Sequence, residues 1–391
     1  MEHNEPMRHT WFIVLLLILI VVSGLGWKLG FLNPLLVSLT APACSDPVLT
    51  TLPTSDENID SITPLGNISL PNHLLPTEHT YYMFKRGTDG LPLKTEVFSP
   101  ANLVVERITY ISTTRNGQLF DADYQVDMVP CKKVSIQFDH IRTLSPKLAS
   151  AYAASKPRCQ ENQRAGDLNQ YCHAEINIKL SAGELVGIAG GGHPTGLDFG
   201  ATDSRQKRLQ FANNSRYRDN TRHTVCPYDL FGPAQKTHLY GFLGDSFQRR
   251  INEPICGTIA QDVAGGAQGN WYLGKGGSDE LERQGKTVAL IHDNVDPRLG
   301  LIVLGSTFSK VVFSPTHSGL INREFSEVVP SQQIYCYQPD ASGSRVSYGT
   351  SGQFKGSVLI RLPSASELDV EVRSQDCSGS TAFTNPTRFI R

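Results

Sequence analysis

The chain runs to 391 residues, with 36 Lys and Arg against 37 Asp and Glu and a formal net charge of -1. That length exceeds one ordinary domain and leaves room for two, with an anchoring or targeting segment besides. The near-neutral balance excludes a global field that would gather nucleic acid, and 34 Gly, 23 Pro and 19% charged residues describe a turn-rich, strand-rich globular chain rather than a disordered one.

After a short flank (1–10), the stretch from Trp11 to Trp27 carries no charge and is almost wholly apolar. As a helix it spans roughly 25 Å at ~1.5 Å per residue, a little short of a hydrocarbon core of about 30 Å. Leu29, Phe31 and Leu32 extend it, and Trp11 and Trp27 stand where interfacial rings would. The expectation is a transmembrane helix at 11–32, in a single-pass cell-membrane protein whose bulk is extracytoplasmic. A cleaved signal peptide is the rival, because Ala41-Pro42-Ala43 has the small-x-small form of a cleavage site directly before Cys44. Residues 33–64 read as a linker, rich in Pro, Ser, Thr and Asp from Ala41 onward and without hydrophobic period.

All eight cysteines (Cys44, Cys131, Cys159, Cys172, Cys226, Cys256, Cys336, Cys377) lie beyond the apolar run, an even number that fits disulfides in an oxidising compartment. No C-x-x-C pair argues for a zinc knuckle or a thioredoxin-like site. Eight cysteines allow ~105 complete pairings. Cys159 with Cys172 is the expected one, since both lie in one polar excursion.

The first folded region, 65–205, shows short β-branched or alternating segments at Leu103–Val105, Ile108–Ile111, Tyr124–Val129 and Val134–Phe138. A polar insertion from Ser145 to Cys172 carries one short helical pattern, Leu148–Ser155. The connector, 206–225, overlaps a polar stretch from Ser204 to His223 that holds Arg205, Lys207, Arg208, Arg216, Arg218 and Arg222. Such a run touches anionic polymers in some proteins and is a solvated connection in most. The second domain, 226–391, has strand signals at Val288–Ile291, Leu301–Leu304, Val311–Phe313, Ile334–Tyr337, Val358–Ile360 and Leu368–Val372. Gly, Pro, Asn, Asp and Ser clusters separate them, the pattern of a β-sandwich or barrel.

Five landmarks in the first region come in a fixed order: Val97-Phe98-Ser99-Pro100-Ala101, Asp123 to Met128, Phe138-Asp139-His140-Ile141, Ala182 to Gly190, and Leu197-Asp198-Phe199-Gly200. Together they resemble the lysostaphin-type (M23, LytM-like) zinc peptidases, which cut peptide cross-links in bacterial cell walls. A catalytic zinc needs three protein ligands and an open position for water, with a general base to take that water's proton. The resemblance implies a LytM-like β-barrel or sheet domain. It places His79 as a zinc ligand, with no aspartate following at the family spacing, and His140 as the acid–base histidine. The closing H-x-H reads Gly196-Leu197-Asp198, so glycine replaces the catalytic histidine and Asp198 the ligand histidine. His73 offers a further metal ligand.

The fold expected is therefore mainly β, with a transmembrane helix and two β-rich domains. The function expected is a degenerate M23-like protein, not an active hydrolase, that binds or organises cell-wall polymer (peptidoglycan or its equivalent) or regulates a wall hydrolase. The alternatives are a zinc-dependent wall peptidase on an altered His/Asp site, and a surface adhesin.

Other constellations carry less. His292-Asp293-Asn294 with Ser318 lacks the G-x-S-x-G elbow of a triad and reads as polar strand ends. Gly190-Gly191-Gly192 lacks the Lys-Ser/Thr of a phosphate loop and reads as a turn. Asn67-Ile68-Ser69 and Asn213-Asn214-Ser215 match the glycosylation sequon.

Overall fold

The structure, a computed structural model, describes residues 41–164, 167–192, 196–315, 322–339, 354–379 and 381–391. The chain divides into two compact units that do not follow chain order. The first takes the chain up to Ser55 and from Lys94 to Pro194; the second takes Asp56–Leu93 and Thr195–Arg391.

In chain order the first ten strands are β1 (Ile59–Thr63), β2 (His79–Phe84), β3 (Thr95–Phe98), β4 (Leu103–Arg115), β5 (Gln118–Cys131), β6 (Val134–Leu144), β7 (Arg158–Arg164), β8 (Asp167–Leu180), β9 (Leu185–Ala189) and β10 (Gly196–Asp203). The first unit is an antiparallel sheet in the order β3-β9-β6-β5-β4-β8-β7. Its long central hairpin turns at Asn116 and Gly117, both at positive φ, the backbone that a two-residue hairpin loop requires. Alternation puts Val105, Ile108, Val126, Met128 and Phe138 wholly inside. The helix α1 (Pro146–Ala154) starts where the Ser145 side chain accepts from Leu148 N with a proline in the first turn.

The second unit contains β1-β2-β10, paired antiparallel, and eight further strands: β11 (Gly269–Tyr272), β12 (Thr287–His292), β13 (Gly300–Leu304), β14 (Val311–Phe313), β15 (Tyr335–Tyr337), β16 (Ser357–Ser364), β17 (Glu367–Arg373) and β18 (Thr387–Ile390). These run β14-β13-β12-β11-β18-β17-β16-β15, each neighbour antiparallel. One isolated antiparallel bridge, Pro315 to Pro339, links the segments just after β14 and β15, the two ends of this sheet. Trp271, Leu290, Ile302, Val358 and Phe389 fill one side. The opposite side of β12 and β13 buries Ala289, Ile291, Leu301 and Val303 against Leu74 and Leu281. Burial on both faces explains why these strands read as continuous apolar runs instead of alternating. The Arg391 guanidinium lies 4.3 Å from the Trp271 ring and donates to the carbonyls of Ala365, Gln268, Val263 and Gly266.

All eight cysteines are bridged: Cys44–Cys131, Cys159–Cys172, Cys226–Cys256 and Cys336–Cys377. The pair expected from sequence, Cys159–Cys172, joins facing residues of β7 and β8.

The membrane expectation is corrected. Among the described residues no helix is long and apolar enough to cross a membrane; the longest, α1, has nine residues. Here apolar side chains are buried in sheets, not along a helix of the ~20 residues that a span needs. The run Trp11–Trp27, where the transmembrane helix was expected, lies outside the described residues. The single-pass, extracytoplasmic placement and the membrane and cell-wall partners drawn from it therefore have no structural support and are set aside.

Candidate metal centre

In the first unit the site grows out of a fault in the β5–β6 ladder. Val126 faces Phe138 and Tyr124 faces Ile141, so Gln125 is opposed by two residues, Asp139 and His140. This is a β-bulge. His140 takes the left-handed conformation (φ 66), which costs a residue with a Cβ roughly 1–2 kcal/mol. Its backbone N–H, displaced from the ladder, donates to Asp139 Oδ1 at 2.9 Å. The bulge also swings the imidazole towards β5, where Nδ1–H donates to Asp123 Oδ2 at 2.6 Å.

Asp123 is 4% exposed, and a buried carboxylate needs such partners. One step further along both strands, Arg142 Nη1 lies 4.0 Å from Asp123 Oδ2. The same nitrogen donates to the Ala122 carbonyl at 2.6 Å and pairs with Asp121.

Asp123, Asp139 and His140 each offer a ligand atom within 4.8 Å of the others. Among the described residues they are the one group of three or more such side chains to do so. Two carboxylates and an imidazole fit a divalent cation of the zinc or manganese kind, and three ligands leave positions open. A cation taking His140 Nδ1 and Asp123 together displaces the proton they share. Arg142, a fixed positive charge, works against that cation.

In the second unit, β2 and β10 bring together two of the residues singled out from sequence. The register Asp198–Tyr81 and Gly200–His79 sets His79 and Asp198 diagonally across the ladder. His79 Nε2 stands 3.1 Å from Asp198 Oδ2, with the carboxylate side chain 7% exposed. His73 packs edge-on against His79, ring centres 5.8 Å apart, so the expected set His73, His79 and Asp198 is adjacent without closing into a three-ligand cluster. Beside it, burial holds the Glu78 carboxyl above its usual range, opposed by the hydrogen bond that Thr221 donates to it. His140, expected to serve this set as base, belongs to the first unit.

Gly196 has a backbone reason to be glycine: a Cβ there would lie 1.9 Å from the Tyr82 carbonyl oxygen. The catalytic histidine of the lysostaphin pattern has no room at this position.

Asp123 and Asp139 lie in the landmark segments, but the sequence pattern gives them no metal-binding role. The signal that finds them is the acidic alternation Asp121, Asp123 on one strand facing Asp139-His140 on the next. The His292 constellation resolves into structural roles. His292 Nε2 lies 3.2 Å from Glu324, and Asp293 Oδ1 accepts from Val295 N and Asp296 N in a turn. Ser318 is outside the described residues. Comparison with protein-family models, curated proteins and solved structures finds no match for this chain.

Proposed function

We propose that this protein is a disulfide-braced, two-unit β protein whose first unit binds a divalent cation, zinc in the first instance, through Asp123, Asp139 and His140. The role is binding rather than hydrolysis. The observation that carries this is the convergence of three ligand-type side chains at a bulge that holds His140 in a costly conformation. Hydrolysis would need a separate base for a metal-bound water. The histidine that sequence offered for that task is instead a member of the cluster, hydrogen-bonded to Asp123.

A finer reading is that the order of landmarks reflects a lysostaphin-type ancestry. Its support is the His79–Asp198 pair, which stands where the resemblance puts two zinc ligands. One experiment separates the two sites. The purified chain, dialysed free of chelator, is titrated with zinc and with manganese, and bound metal is counted by mass spectrometry. One equivalent that Asp123→Asn and His140→Ala abolish, and that His79→Ala and Asp198→Asn spare, supports the bulge site. The opposite pattern moves the metal to the β2–β10 pair, and no retained metal in any form refutes both.

A further inference from the structure

In the second unit, strand β11 stops short of its neighbour β12. Gly269 faces Leu290, so the ladder between them ends before it reaches His292. There the Gln261 side chain stands in for a strand: Oε1 accepts from His292 N at 2.8 Å and Nε2 donates to His292 O at 3.1 Å. Around this break lies a cavity of about 340 Å³, lined by residues between Arg250 and Gln268 and between His292 and Pro297. That is within the range of small-molecule sites.

Three polar side chains in its wall keep hydrogen-bonding capacity. Arg250 is 7% exposed. Its Nε donates to the Pro254 carbonyl and its Nη1 to the Asn294 carbonyl, and among the described residues Nη2 makes no hydrogen bond. Asn294 is 5% exposed, and its Nδ2 donates to the Pro64 carbonyl at 2.8 Å. A carbonyl only accepts, so the orientation of this amide is fixed and Oδ1 is the end left over. The same reasoning orients Gln268, whose Nε2 donates to the Gln261 carbonyl at 3.0 Å and whose Oε1 accepts nothing among the described residues. One charged donor and two amide acceptors therefore line a single space.

Charge narrows what can enter it. One cation, Arg250, stands in the wall with three carboxylates, Glu253, Asp262 and Asp293. An anion would meet the three carboxylates. A cation would meet a guanidinium whose pKa burial already pulls below its ordinary value, against the opposing pull of Asp293, Glu253 and Asp296. A neutral group that is both acceptor and donor avoids both costs. The amide is such a group: its carbonyl suits a charge-assisted bond from a guanidinium, and its N–H suits a side-chain amide oxygen. Pro254, Ala260, Val263 and Pro297 supply apolar wall for the carbons on either side, and no Trp, Tyr or Phe lines the cavity to cover a sugar ring.

We infer that this cavity binds a small uncharged amide ligand, its carbonyl oxygen on Arg250 and its N–H groups on Asn294 and Gln268. The inference is independent of the metal reading, which concerns the other unit.

Editing the ligand tests this without disturbing the fold. N-acetylalanine N-methylamide is titrated calorimetrically into the full chain at neutral pH with a chelator present, so that bound metal plays no part. Saturable binding is expected. The matching ester, with both N–H groups replaced by oxygen, keeps the carbonyls and should bind at least about fivefold more weakly, the worth of one hydrogen bond. N-acetylalanine, an anion, and alanine N-methylamide, a cation, should also bind more weakly than the capped form. Two variants place the ligand in the cavity. Gln268→Met removes one acceptor at similar length and should weaken the amide about fivefold while leaving the ester unchanged. Ala260→Leu fills the space and should abolish binding. No saturable binding of the capped alanine, an ester that binds equally well, a charged probe that binds best, or binding that survives Ala260→Leu overturns the inference.

Discussion

Gly196 offers the sharpest test of how the β2–β10 pair is built. Replacing it by alanine puts a methyl carbon 1.9 Å from Tyr82 O and 3.0 Å from Tyr82 C. An ordinary close carbon–oxygen contact is about 3.3 Å, so the strands must part by roughly 1 Å or more. Both atoms met belong to the backbone of the paired strand, and no rotamer change relieves the clash. Forcing extra volume into a packed site costs about 1–3 kcal/mol, and each ladder hydrogen bond lost or left unmade adds about 1 kcal/mol. The expected loss is about 3 kcal/mol. Urea unfolding is followed by tryptophan fluorescence with Trp11 and Trp27 replaced by phenylalanine, so that Trp271 alone reports on this unit. Gly379→Ala is the control, since among the described residues nothing lies within 4 Å of a Cβ there, and it should stay within about 0.5 kcal/mol of the parent. An equal midpoint for Gly196→Ala and the parent would refute the reasoning. The same contact predicts that Gly196→His does not rebuild a peptidase centre, because the side chain has no space before its chemistry is considered.

Three further outcomes follow from other parts of the molecule. Burial pushes the Glu371 carboxyl up, but hydrogen bonds from Asn385 N, Arg373 Nε, Thr384 N and Thr384 Oγ1 prevail and hold it at about 2, below its ordinary 4.5. A depressed carboxylate stabilises the fold above pH about 4.5 and loses that contribution as pH falls through about 2. The deficit of Glu371→Gln in denaturant titrations, at most about 3 kcal/mol at neutral pH, should therefore shrink across that window, and a constant deficit would count against the network. Arg391→Leu removes the donor to four carbonyls and the cation over Trp271. A loss of about 2–4 kcal/mol is expected, with Trp271 fluorescence shifted, and a neutral substitution would deny the arginine its place. Replacing Cys159 and Cys172 by serine opens a bridge of sequence separation 13, worth about 3 kcal/mol at most. Because β7 is an exposed end strand paired only with β8, hydrogen exchange should rise in β7 and β8 and stay unchanged in β5, whereas exchange rising throughout the unit would contradict this.

Much of the strand pattern was legible because its cause is local. Val-Ala-Leu-Ile and Leu-Ile-Val-Leu form strands β12 and β13 almost at the expected bounds, and the helix expected at Leu148–Ser155 overlaps the observed Pro146–Ala154. The units were not legible, because their cause is pairing at a distance. His79 to Phe84 has the alternation of a strand, yet nothing in it states that its partner begins at Gly196 and that both belong with the C-terminal strands. His79 and Asp198, which the lysostaphin resemblance assigns to a metal site, lie 3.1 Å apart in the β2–β10 ladder. Asp123 and Asp139 lie inside two of the landmark segments, but the lysostaphin pattern gives them no role, and only the bulge brings them to His140.

What composition and spacing cannot show is a single extra residue in β6. Without the bulge, strict alternation would send Asp139 and His140 to opposite faces of the sheet. With it, their ligand atoms come within 4.8 Å of each other and of Asp123. The positive φ of His140 is the cost of that displacement, and glycine would bear it more cheaply. A histidine kept at a glycine-type position, with its ring on a buried aspartate, is better explained by a ligand role than by the stability of the strand. The same reasoning separates the two clusters. The β2–β10 pair arises from a regular ladder in which the Tyr82 carbonyl leaves no room for a side chain at position 196, whereas the bulge departs from regularity and places three ligand-type groups together.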